Sequence, residues 1–172
     1  PVERFARAMR MDRTCHAIFG LYRRALLEKT TLHRPYYTSD RNLVAETALL
    51  GRWIAVPEAT FYNRKHAKQS MALSADKLLL NTWQDASNTK PYSTQHISRL
   101  SHFLEICNRY PEVASQRELF MSCAGFLLSP NKLVRYTDEY FESLSPRGYG
   151  EARRQMKRLF YMVRKPQKYI KA

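Results

Sequence analysis

Residues 36–70, YYTSDRNLVAETALLGRWIAVPEATFYNRKHAKQS, decide how this chain is read. Thr38, Ser39 and Asp40 offer side-chain oxygens for the free N–H groups of a helix start. Leu43, Val44, Thr47, Ala48 and Leu50 follow at the spacing of one helix face, and Gly51 closes the run. A carboxylate at the head of such a helix is stabilised as an anion by the unpaired N–H groups and the dipole, which suits Asp40 to accept a proton or a hydrogen bond. Beyond Gly51, Trp53–Val56 and Thr60–Tyr62 are rich in β-branched and aromatic residues and flank Pro57-Glu58, the pattern of two short strands around a turn. Alternate residues of an extended chain share a face, so the second strand presents Arg64 and His66 on one side.

The remainder of the chain reads as mainly helical. Ile97, Leu100, Leu104 and Cys107 mark one apolar stripe and Leu119, Cys123, Phe126 and Leu127 another, with Pro111 and Pro130 as boundaries. Asn81–Tyr92 reads as a loop. Tyr149–Val163 places Met156, Leu159, Phe160 and Val163 among basic residues at helical spacing, the pattern of a basic amphipathic helix that either lies on an anionic membrane surface or packs on the domain. The expected fold class is thus an α/β fragment, predominantly α-helical, with a few short strands.

A chain of 172 residues with 44% hydrophobic content has the material for a core and does not resemble a disordered segment. Its apolar runs are too short for a membrane span. Three cysteines, an odd number without Cys-x-x-Cys spacing, argue against a disulfide framework or a structural zinc site and fit a reducing cytoplasm. The 29 Lys and Arg against 15 Asp and Glu give a formal net charge of +14, which attracts polyanions such as nucleic acid, anionic lipid and diphosphates.

The order Asp40-x-x-Leu-x-x-Glu-x-Ala-Leu-x-Gly-Arg, Val56-Pro57-Glu58, then Tyr62-x-Arg-x-His-x-x-x-Ser resembles the C-terminal half of bacterial family 2 glycosyltransferases of the GT-A fold. The upstream segments PVERFARAM and CHAIFGLYRRALLEKT, with Gly20-x-x-Arg23-Arg24 placed on a strand, are similar to the same family. The resemblance covers about the first 70 residues. It implies that residues 1–80 are the C-terminal half of a GT-A domain and 81–172 a helical extension with a basic C-terminal helix. The family's donor-binding half carries an Asp-x-Asp metal motif, which this sequence lacks. The expectation is therefore a C-terminal portion of a longer enzyme, inactive alone.

By the same resemblance, the whole enzyme transfers a sugar from a nucleotide-sugar donor to a hydroxyl of a glycan or glycolipid acceptor, with inversion, in polysaccharide or glycoconjugate synthesis. Asp40 is then the catalytic base. Arg64 contacts the diphosphate, with Arg23, Arg24 and Arg41 as further candidates for diphosphate or acceptor. His66 completes the sphere of a divalent metal, Mn or Mg, whose main ligands lie elsewhere. The location implied is cytoplasmic, with peripheral contact at the inner membrane face, and nucleic acid is the less favoured partner. Each residue also has a plainer reading: a first-turn acid for Asp40, an exposed loop histidine on a basic strip for His66, the solvated start of a helix for Arg23 and Arg24. The alternative for the whole chain is a non-catalytic basic helical module that binds nucleic acid or anionic membrane.

Overall fold

The computed structural model describes residues 1–10, 15–62, 76–90 and 92–164, with the backbone alone for residues 77 and 156–164. The described residues form eight α-helices and a 3-10 turn, His16–Phe19. The helices are α1 (Val2–Arg10), α2 (Arg24–Leu27), α3 (Ser39–Leu50), α4 (Lys77–Gln84), α5 (Gln95–Arg109), α6 (Gln116–Leu127), α7 (Pro130–Leu144) and α8 (Pro146–Arg164).

Helix α3 is the central element. Every residue from Asn42 to Leu49 is buried, so the helix is covered on all sides rather than along one stripe. Against it pack α1, α5, α2 and the 3-10 turn. Its last carbonyls are met by Arg4 of α1, whose Nε donates to Ala48 O at 3.0 Å and Gly51 O at 3.1 Å. Helix α1 contributes Phe5, Ala6, Ala8 and Met9 to the interior. Phe5 stacks on Phe103 of α5, ring centroids 5.6 Å apart. Leu119, Cys123 and Leu127, at i, i+4 and i+8 on α6, complete this core, which draws on residues from both sides of position 80.

Helix ends are secured by sequence-distant as well as local groups. A capping box closes α6, with Ser115 accepting from Glu118 N and the Glu118 carboxylate accepting from Ser115 N. The start of α5 is instead capped from α7, where buried Glu139 accepts from His96 N at 2.8 Å and Ile97 N at 3.0 Å. The neighbouring Asp138 accepts from the Tyr149 hydroxyl of α8 at 2.7 Å and pairs with Arg153.

The α/β expectation, with a GT-A-type portion of short strands, is not met: the described residues contain helices and turns and no strand. Trp53–Val56 and Thr60–Tyr62 are irregular and exposed, and the backbone bond Ala59 N to Val56 O, 3.0 Å, closes a turn between them. β-Branched and aromatic residues favour a strand only where a neighbour supplies the ladder, and none of the described segments does so here. Gly20–Arg23 is likewise no strand; it links the 3-10 turn to α2. The expected loop from Asn81 begins later, because α4 runs to Gln84 with Asp76 accepting from Leu78 N and Leu79 N as its N-cap.

The buried face of α5 is also turned from the expected stripe: Arg99, His102, Phe103, Ile106 and Cys107 are inside, while Leu104 is exposed. The apolar set Phe103, Ile106, Cys107, Tyr110 continues the correct face past the helix end. Truncating Phe103 to Ala should cost about 3–5 kcal/mol of stability, because it removes a fully buried ring between α1 and α6. Urea unfolding of the variant against the parent chain measures this, with an unchanged midpoint as the contrary result.

Candidate functional site

Asp40 lies in the first turn of α3 and is half-buried. The preceding Thr38 adopts a left-handed conformation, φ 71°, and caps the helix without a side-chain bond. The nearest bonds to Asp40 are from Arg41 N, 3.0 Å to Oδ1, and from the thiol of Cys15. Burial pushes the Cys15 thiol up to about 12, helped by the charge and hydrogen bond of Asp40, so Cys15 acts as a donor to the carboxylate and not as a nucleophile. Arg41, half-buried beside Asp40, contributes positive potential at both Cys15 and His96.

Of the other expected site residues, Arg23 and Arg24 do not join this cluster. Arg23 precedes α2 and Arg24 opens it; both are exposed, and Arg24 forms an i,i+4 pair with Glu28 at 2.7 Å. That is the solvated helix start given as the plainer reading. Arg64 and His66 lie outside the described residues.

Among the described residues no group of three or more His, Cys, Asp and Glu side chains gathers as a cation site. Around Asp40, a thiol donor, a backbone N–H and an arginine suit a hydrogen-bonded carboxylate and do not fit a divalent ion. No chemical step is therefore routed through a metal at this position.

One turn before Asp40 the chain enters a hydrogen-bonded series that the sequence pattern did not announce. The Tyr36 hydroxyl bonds His102 Nδ1 at 2.8 Å, His102 Nε2 bonds Thr31 Oγ1 at 2.6 Å, and the Thr31 hydroxyl donates to Glu46 Oε2 at 2.6 Å. Glu46, fully buried in α3, also accepts from Thr31 N and from the Tyr110 hydroxyl, the latter at 2.6 Å. With the Thr31 hydroxyl donating to Glu46, His102 carries its proton on Nε2 and accepts from Tyr36 through Nδ1. The ring is thereby held as the neutral tautomer. Desolvation, then the nearby Arg34 charge, lowers His102 to about 4.

Tyr36 and His102 form one wall of a cleft of about 430 Å³ between the 34–37 loop, the end of α4 and the first turns of α5. Tyr37, Asn81, Gln84, Ser98 and Ser101 line the rest together with Arg34. Arg34 is held by Glu105 at 2.6 Å. The Tyr36-Tyr37 pair is the part of this cleft visible as a sequence signal, as aromatic residues next to Asp40. The polar positions Arg99 and His102 on the apolar face of α5 are the signal for the network.

Comparison with family models, with curated proteins and with solved structures finds no match to this chain.

Both His96 and His102 are lowered to about 4, against an ordinary 6.5, first by desolvation and then by Arg135, Lys132, Arg99 and Arg41 around His96 and by Arg34 near His102. A folded value below the unfolded one means that the unfolded chain binds more protons in this interval, so stability rises with pH there. Unfolding midpoints should therefore fall as the pH is lowered from 6.5 towards 4, and His102→Gln should flatten that dependence. Urea titrations across the window measure it; a slope identical in the variant would contradict the assignment.

Proposed function

We propose that this chain supplies the acceptor-side part of a glycosyltransferase, in which Asp40 removes the proton from an acceptor hydroxyl as it attacks the anomeric carbon of a nucleotide-sugar. The reading does not depend on strands in residues 52–62. What supports it is the position of Asp40: half-buried on the first turn of α3, and close enough to Tyr36 of the cleft wall that its charge helps to raise the Tyr36 hydroxyl, whose shift comes first from burial. The order of motifs from Asp40 through Val56-Pro57-Glu58 to Arg64 and His66 supports it independently.

In chemical terms the carboxylate takes the hydroxyl proton while the new glycosidic bond forms and the bond to the diphosphate breaks. A single base acting opposite the leaving group gives inversion. Arg64 is the proposed partner of the diphosphate oxygens, and His66 of a divalent cation that neutralises them. The donor is a nucleotide-sugar and the acceptor a glycan or glycolipid. No helix among the described residues is long and apolar enough to cross a membrane. A peripheral contact through basic α8 is the proposed route to an acceptor in an anionic membrane.

A second reading, a basic binding module, is favoured by one observation, the +14 net charge, to which the exposed Arg147 and Arg154 of α8 contribute. It predicts nucleic-acid or vesicle binding whose affinity falls steeply with salt and which tolerates loss of Asp40.

Transfer by the full-length chain, assayed over a panel of nucleotide-sugars, should fall at least about a hundredfold in kcat in Asp40→Asn, since asparagine keeps the size and the bond from Arg41 N but not the basic oxygen. Retained turnover would remove Asp40 from the mechanism.

A further inference from the structure

The cleft at the head of α5 is unusual for so basic a protein, because it is almost without net charge. Among the described residues that line it, Arg34 is the ionised group, and Glu105 neutralises it at 2.6 Å. His102 is held neutral by its bonds to Tyr36 and Thr31. The remaining lining groups are tyrosines, amides and hydroxyls, with Pro35 and Ile97 as the apolar exceptions.

The feature most apt to hold an anion here, the N-terminus of α5, is already occupied. Glu139 takes the N–H groups of His96 and Ile97, so a phosphate or carboxylate entering the cleft would meet a carboxylate instead of free donors. An incoming anion would also find Arg34 engaged. The lining thus disfavours the diphosphates, nucleic acids and lipid phosphates that the overall charge attracts.

What it favours is a neutral ligand rich in hydroxyls. Amides and hydroxyls both donate and accept, which matches a group whose every oxygen does the same. Asn81 spends both amide hydrogens on Lys90 O and Tyr92 O, each at 2.9 Å, which fixes its amide oxygen as an acceptor. Gln95, on the first turn of α5, keeps its amide oxygen unpartnered among the described residues. Tyr36 and Tyr37 add ring surface for the C–H faces of a sugar, and about 430 Å³ lies within the range of small-ligand sites.

We propose that this cleft, formed by the 34–37 loop with α4 and α5, binds an uncharged carbohydrate segment. The inference rests on the transferase reading in one respect: it makes the bound segment a part of the acceptor. Asp40 lies outside the lining, but its charge reaches Tyr36 of the cleft wall.

The test is ligand-observed NMR titration of the full-length chain, without donor, using neutral oligomers of glucose, galactose, mannose and N-acetylglucosamine. Uronate oligomers and inorganic phosphate are run as competitors. A neutral oligomer should bind, and both Tyr37→Ala and Ser101→Trp should weaken it by about tenfold or more. Ser101 is exposed on α5, so tryptophan there fills the cleft without entering the core, and an unchanged urea midpoint certifies its fold. Binding indifferent to both variants, preference for the acidic competitors, or no neutral oligomer bound would each overturn the proposal. Since the titration needs no turnover, the two readings fail separately. Asp40-dependent transfer with no neutral-glycan binding removes this one alone, and Tyr37-dependent binding with Asp40-independent transfer removes only the other.

Discussion

A carboxylate in the middle of a helix buried on all sides is the constraint from which most of this structure follows. Glu46 has no exposed surface, and an ionisable group taken out of water costs several kcal/mol unless donors surround it. Its donors come from two distant places, Thr31 before α3 and Tyr110 just after α5. Seating α3 in the core therefore requires the chain around Thr31 and the end of α5 to close on the same point. Once Thr31 is fixed, its hydroxyl oxygen is placed for His102, and His102 in turn fixes the Tyr36 hydroxyl at the cleft wall. The cleft is thus shaped from the inside outward, by satisfaction of one buried acid.

The same helix imposes a second demand at its other polar positions. Asn42, fully buried, donates to Arg99 O of α5 at 2.9 Å, and Thr47 turns its hydroxyl back to Val44 O at 2.8 Å. A helix with this many interior polar groups has little freedom to rotate or slide, because any other register leaves several of them unpaired. Asp40, five residues before the buried Ala45, inherits that fixed position.

Local signals made α3 legible in the sequence: candidate cap residues, a helical apolar run and Gly51 lie within fifteen residues of one another, and the helix falls where they place it. The α6 stripe and the boundary at Pro130 were legible for the same reason. The errors arose where a decision depends on a neighbour. Trp53–Val56 has strand composition and no ladder partner among the described segments, so composition misled. On α5, Leu100 and Leu104 suggested one face, but Arg99 and His102 have buried partners elsewhere in the chain and pull the interior face round to themselves. The place of Asp40 on the first turn of α3 was legible from local signals; its partner Cys15, on the other side of α2, was not. Nor was the Glu46–Tyr110 bond, which spans 64 positions of sequence.

Net charge and site chemistry separate in this molecule, and the separation has a structural cause. Two positive features at the cleft are neutralised: Arg34 by Glu105, and the N-terminus of α5 by Glu139. Acidic residues are outnumbered almost two to one, yet two of them are spent at this place. Exposed basic side chains such as Arg147 and Arg154 lie instead on α8, beyond α7. Across distances longer than about 8 Å salt screens such charges from the cleft, so attraction to an anionic surface and recognition of an uncharged group can operate side by side. A polyanion drawn to the basic surface and an uncharged group at Tyr36 and Tyr37 would then occupy separate parts of the molecule.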